Sequence, residues 1–168
     1  IQVESTQGVG TKFTVDISFD TASEADVYRN QISEQPDILE KLEGKRILLA
    51  EDNDLNAEIA IELLAEQKII TDRAEDGAEC LDKLEKAVAG YYDMILMDIQ
   101  MPVMDGYDDA ARIRRMKDEK KASIPIVAMT ANAFAEDRQK AISMGMNDHV
   151  AKPIDMNVLL PVIAKYIR

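Results

Sequence analysis

From Lys45 onward, short apolar runs alternate with amphipathic stretches five times over, and that alternation leaves few folds open. The strand-like runs are residues 46–50, 69–71, 94–97, 124–129 and 149–150. Between them apolar residues recur at helical spacing: Ile59, Leu63 and Leu64 on one face, then Ala78, Leu81, Leu84 and Val88. A last helix is expected with Leu159, Val162, Ile163 and Tyr166 as its buried stripe. Five strand–helix units in succession predict an α/β fold, a parallel sheet with helices on both faces and right-handed crossovers. The flavodoxin-like strand order 2-1-3-4-5 satisfies these rules. It places a ligand site beyond the carboxyl ends of the strands, near the first and third.

The residues at those ends are not typical of a core. ILLAEDNDLN, residues 47 to 56, leaves its apolar run for Glu51, Asp52 and Asp54. DMILMD ends in Asp98, before a loop from Met101 to Gly106. IPIVAMT ends in Thr130, and the fifth run leads to Lys152-Pro153. Acids clustered at a strand end repel one another, so something must compensate. A hard divalent cation such as Mg²⁺ fits: it wants oxygen ligands, which Asp52, Asp98, Glu51 and the backbone carbonyl of Gln100 can offer. Asp98 can then act as nucleophile toward phosphorus, giving an aspartyl phosphate, while Thr130 and Lys152 hold the other phosphoryl oxygens.

Taken singly, each residue has a plainer reading. Asp98 is an ordinary strand-end acid, Thr130 a helix cap, Lys152 a solvated lysine, and His149, the only histidine, a packing residue. Met94, Met97, Met101 and Met104 read as packing. Cys80 reads as a small buried side chain on a helix. Four strand ends in the correct order outweigh these readings. Two imitations fail. Asp52, Asp54 and Asn56 begin like a calcium-binding loop, but Ala57 stands where glycine is needed and Leu63 where the bidentate glutamate belongs. A dehalogenase-type phosphatase wants a second acid two residues after its nucleophile, and that residue is Gln100.

Composition closes other routes. A formal net charge of −12 over 168 residues argues against nucleic acid as a partner. One cysteine allows no internal disulfide and suits a reducing, cytoplasmic compartment. No apolar run approaches the roughly 20 residues of a membrane span, so no membrane contact is expected of this stretch.

Ahead of residue 45 the pattern changes. Phe13, Val15, Ile17 and Phe19 alternate with Lys12, Thr14, Asp16 and Ser18, as in a strand with one buried face. Ile1 and Val3 suggest an earlier strand, turned at Gln7-Gly8-Val9-Gly10. Residues 1–19 are therefore expected to form a hairpin. Two strands alone are marginal in water, so docking on the receiver or pairing with a second copy of the chain is expected to cover the face, and an open edge favours pairing, in a homodimer. Residues 20–44 read as an acidic linker with a short helical stretch from residue 37 to Leu42.

LLAEDNDLN, MILMDIQMPVMDG, IPIVAMTA and DHVAKPI together resemble the motifs of two-component receiver domains, over residues 45–168. The resemblance implies Asp98 as phosphoacceptor, Glu51 and Asp52 in the acid pocket, Thr130 as the switch hydroxyl and Lys152 as the phosphate-binding lysine. His149 stands where many receivers carry a switch aromatic, and the family implies a cis bond at Lys152–Pro153. Glu51-Asp52-Asn53 and the KPI run are similar to receivers of hybrid sensor histidine kinases. VESTQGVGTKFTVDISF resembles the last strands of a histidine kinase ATP-binding domain, which makes the chain a fragment: kinase tail, linker and receiver. As a free nucleotide motif GVGTKF fails, because Phe13 takes the third glycine position. The implied partners are a histidine kinase phosphodonor domain and a histidine-containing phosphotransfer domain. The domain would catalyse only its own phosphorylation and dephosphorylation. The competing reading is an interaction module that docks without being phosphorylated.

Overall fold

The computed structural model describes residues 1–6, 8, 10–16, 40–101, 105–131 and 135–167. It falls into two units, Ile1–Ile32 and Ser33–Arg168.

In the first unit, β1 (Gln2–Thr6) pairs antiparallel with β2 (Gly10–Thr14), in a register that sets Val3 opposite Phe13. The hairpin forms as expected, but β2 begins earlier than the alternation suggested. The apolar face is not buried: Phe13 is 68% exposed and Val15 54%. Ile17, Phe19 and most of the expected linker lie outside the described residues.

The second unit is a five-stranded parallel sheet. Its strands are β3 (Arg46–Ala50), β4 (Ile70–Ala74), β5 (Met94–Asp98), β6 (Ile126–Thr130) and β7 (Asp148–Ala151), in spatial order β4-β3-β5-β6-β7. That is the 2-1-3-4-5 arrangement. β3, β5 and β6 are buried nearly end to end because helices cover both faces. One face packs Leu48, Ile95, Met97 and Ile126 against α2 (Gly77–Lys86) and α3 (Gly106–Ile113). The other packs Ile47, Leu49, Leu96 and Val127 against α1 (Asp54–Glu66) and α6 (Met156–Tyr166). A four-residue α4 (Glu119–Ala122) precedes β6, and α5 (Ala135–Ser143) joins β6 to β7.

Three differences from the sequence pattern have local causes. The buried stripe of α1 is Ala57, Ala60 and Leu64, while Ile59 is 47% exposed; small residues let the helix lie close to the sheet. β4 runs on to Ala74 through Asp72 and Arg73, polar residues that an edge strand tolerates. Packing begins at Leu42, which is fully buried in the α1–α6 layer, ahead of the expected boundary at Lys45. Gly44 closes the turn between Leu42 and β3 with φ +76, donating its N–H to Lys68 O at 2.9 Å.

One buried group stands apart. Asp109, in the first turn of α3, is fully buried, and neither carboxylate oxygen has a hydrogen-bond partner. It lies against the backbone of Gly77 at the start of α2, where an added Cβ would meet Asp109 Oδ2 at 1.4 Å. Burial pushes its pKa up to about 6, Arg112 opposes the shift, and Asp108, Asp76 and Asp105 add to it.

Candidate functional site

At the carboxyl end of the sheet the chain assembles what its strand ends promised. Glu51 follows β3, Asp98 closes β5, Thr130 closes β6 and Lys152 follows β7. Parallel register does the alignment: Ala50 lies opposite Met97, Asp98 opposite Met129, and Thr130 opposite Ala151. Glu51, Asp98 and Thr130 are buried, and Lys152 is mostly so.

Lys152 is the centre of the constellation. Its Nζ lies 2.5 Å from Glu51 Oε2 and 2.6 Å from Asp98 Oδ2. Burial by itself favours the neutral amine, but hydrogen bonds to Asp98 and Glu51 overcome it and hold the pKa above the ordinary lysine value. The Lys152–Pro153 peptide is cis, as the resemblance implied. Each carboxylate has a second anchor: Asn56 Nδ2 donates to Glu51 Oε1 at 3.1 Å, and the Gln100 N–H donates to Asp98 Oδ1 at 3.0 Å. Asp98 is thus held in one orientation by groups on both oxygens.

Glu51, Asp52 and Asp98 each place a carboxylate oxygen so that all three lie within 4.8 Å of one another. Three carboxylates against one ammonium leave an excess of two negative charges, which a divalent cation matches. The donors are all hard oxygens, which favours Mg²⁺, Mn²⁺ or Ca²⁺ over softer metals. The residues present fit such an ion. The structure shows the Gln100 N–H engaged with Asp98, and Gln100 also lines a cavity of about 330 Å³ with Ile99, Met101, Asp105, Tyr107, Thr130 and Lys140.

α3 is held tight behind Asp98. The Gly106 N–H donates to Ile99 O at 3.2 Å, and a Cβ on Gly106 would meet Asp98 O at 2.3 Å. His149, on β7, has a buried Nδ1 without a hydrogen-bond partner; the nearest acid, Asp148 Oδ1, is 3.7 Å away. Met104, one of the loop methionines, lies outside the described residues.

Arg73 is a member of this neighbourhood that the sequence pattern did not reveal. Its Nε donates to Glu51 O at 3.1 Å and its Nη2 to Asp52 O at 3.2 Å, while Nη2 lies 2.8 Å from Asp54 Oδ1. The only available signal was a basic residue among acids just past a short apolar run, in IITDRAED, which by itself reads as solvated.

Comparison with known proteins agrees with this geometry. Residues 47–164 match the response regulator receiver domain family. Hybrid signal transduction histidine kinase B of Dictyostelium discoideum is 40% identical over 138 residues, which cover 76% of this chain and 7% of that protein. The chain therefore spans a small part of the length of that relative. Among solved structures, the receiver domain of sensor histidine kinase PA1611 from Pseudomonas aeruginosa, with magnesium coordinated in its active-site cleft, is 34% identical with a TM-score of 0.65, covering 73% of this chain and 97% of that one. The receiver domain of Saccharomyces cerevisiae Ssk1, crystallised with the phosphotransfer protein Ypd1, belongs to a complex matched at 29% identity and a TM-score of 0.67, covering 74% and 90%.

Proposed function

The chain belongs to the response regulator receiver domain family, and from that premise we propose that Asp98 is its phosphoacceptor, working with Mg²⁺ held by Glu51, Asp52, Asp98 and the Gln100 carbonyl. The observation that carries this reading is Lys152 Nζ seated between Glu51 and Asp98 at the mouth of the sheet. An Asp98 oxygen attacks the phosphorus of a phosphohistidine on a donor domain. The new O–P bond forms as the N–P bond breaks, and the imidazole leaves. Lys152 and Thr130 hold the phosphoryl oxygens and offset their charge. Mg²⁺ held by the acid cluster would supply positive charge toward those oxygens. Thr130 and His149 sit on adjacent strands, β6 and β7, and serve as the switch pair that reports the loaded state.

The likeness to receivers of histidine kinases supports a place in a phosphorelay: a histidine kinase domain supplies phosphate and a histidine-containing phosphotransfer domain accepts it. The parent would be a hybrid sensor histidine kinase whose ATP-binding domain ends in the hairpin, with the receiver in the cytoplasm. Among the described residues no helix is long and apolar enough to cross a membrane. The test is incubation with Mg²⁺ and acetyl phosphate, followed by mass spectrometry under mild conditions. A single phosphoryl group on Asp98, absent from Asp98→Asn, is expected. A fold that stays unlabelled would instead make this an interaction module.

A further inference from the structure

Arg73 stands at the edge of the acid cluster without touching a carboxylate of the cluster. Resting on the reading of Glu51, Asp52 and Asp98 as a metal site, we infer that Arg73 is a positioning residue that clamps the acid loop by its backbone and keeps the neighbouring Asp54 out of it.

Backbone accounting comes first. β3 and β4 pair from Arg46 with Ile70 to Ala50 with Ala74, and the Glu51 N–H still donates to Ala74 O at 3.1 Å. Beyond that point the ladder stops, yet the chain must carry Glu51 and Asp52 at a fixed angle. Their carbonyls need donors that β4 no longer offers. The Arg73 guanidinium supplies both, with Nε on Glu51 O and Nη2 on Asp52 O. A planar fork with several donors suits two adjacent carbonyls in a way a lysine ammonium does not. The Arg73 backbone is itself held: Lys83 donates to the Arg73 carbonyl oxygen and pairs with Glu79 Oε1 at 2.9 Å.

Charge is the second part. EDND offers three acids within four residues, but only Glu51 and Asp52 join the cluster with Asp98. The Asp54 side chain is 91% exposed and its carboxylate is engaged by Arg73 at 2.8 Å. Two cations thus divide the work. Lys152 meets carboxylates inside the cleft, whereas Arg73 meets carbonyls and Asp54 outside it, adding positive charge without occupying the place of a metal ion.

The experiment uses the whole 168-residue chain and Mg²⁺ alone as probe, with dissociation constants read from amide NMR shifts of Asp52 and Asn53 and folding checked by thermal unfolding. Arg73→Ala is expected to weaken Mg²⁺ binding about tenfold, as removal of a group that orients metal ligands typically does. Arg73→Lys retains the charge but not the fork and should recover only part of that loss. Asp54→Asn should bind within about twofold of the unaltered chain, since the carbonyl contacts survive. Equal affinity in the unaltered chain and either Arg73 variant overturns the clamp. So does an Asp54→Asn loss as large as that of Arg73→Ala, which would place the effect in the Asp54 pair. If Arg73→Ala does not fold, the Arg73→Lys comparison decides. An unaltered chain that binds no Mg²⁺ would overturn the metal-site reading itself, and this inference with it.

Discussion

The two ends of the parallel sheet treat charge in opposite ways. At the carboxyl ends of the strands three carboxylates gather, two of them paired with one ammonium, and negative charge is left in excess. At the amino ends of β6 and β7 a half-buried cation, Arg114, is matched group for group by neutral acceptors. Its Nε donates to Gly145 O at 2.7 Å, Nη1 to Ala122 O at 2.7 Å and Ile124 O at 2.8 Å, and Nη2 to Asn147 Oδ1 at 2.8 Å. The same Asn147 oxygen accepts the Ile126 N–H at 2.8 Å. Arg114 therefore ties the end of α3 to the entries of β6 and β7. One end is built to change its charge when something binds, the other to keep the loops in place while that happens.

If this division holds, function and stability should separate by mutation. The largest effect is expected at Asp98. Asp98→Asn should abolish phosphoryl labelling by acetyl phosphate while leaving the urea midpoint unchanged or raised, since repulsion with Glu51 and Asp52 is relieved. Substantial labelling of that variant would break the functional half of the comparison. Arg114→Ala should do the reverse. Leaving three part-buried carbonyls without their donor should cost about 2 kcal/mol by urea unfolding, with Asp98 labelling per folded molecule intact. A loss under about 1 kcal/mol would show that water replaces the guanidinium freely.

Asp109 sharpens the comparison because it is a buried acid on the helix that follows β5, and neither of its oxygens has a hydrogen-bond partner. Its folded pKa, about 6, lies above the ordinary 3.8, so its favourable state is the protonated one. Its contribution to stability is complete below about pH 4 and is lost as pH rises through about 6, levelling off above 7. The loss should be about 3 kcal/mol. Asp109→Asn should remove this slope, so urea unfolding of the two proteins between pH 4 and pH 8 is the measurement; parallel curves would mean that the carboxylate finds water. The smallest effect is expected from Asp52→Ala. It should shift stability by about 0.5 kcal/mol at most, upward, while Mg²⁺ binding is lost. Unchanged Mg²⁺-induced amide shifts would remove Asp52 from the ligand set.

What was legible in the sequence followed from regular repetition. Parallel strands bring their ends to one edge, so Glu51, Asp98, Thr130 and Lys152 could be gathered from strand order alone. Interactions across long separations were not legible. Arg73 reaches a loop some twenty residues back, and Arg114 reaches Asn147 thirty-three residues ahead. Either residue reads as an ordinary surface cation until the fold closes. Asp109 in GYDDAARIR has the look of a solvated helix acid, and only the approach of α2 buries it. The misassigned face of α1 has a related cause: alanines at Ala57 and Ala60 carry little hydrophobic signal yet lie closest to the sheet.

Gly77 and Asp109 carry a lesson about how this chain can vary. A side chain at position 77 would occupy the space now filled by the Asp109 carboxylate. Alanine at the first position of α2 would otherwise gain about 0.4–1 kcal/mol over glycine by narrowing the freedom of the unfolded chain. With Asp109 in place that gain is out of reach, and Gly77→Ala alone should be harmful. Once Asp109 is replaced by alanine, the same change becomes acceptable or beneficial. The order of the two steps therefore matters: a lineage, or a designer, can cross from one pair to the other through Asp109 first, but not through Gly77 first.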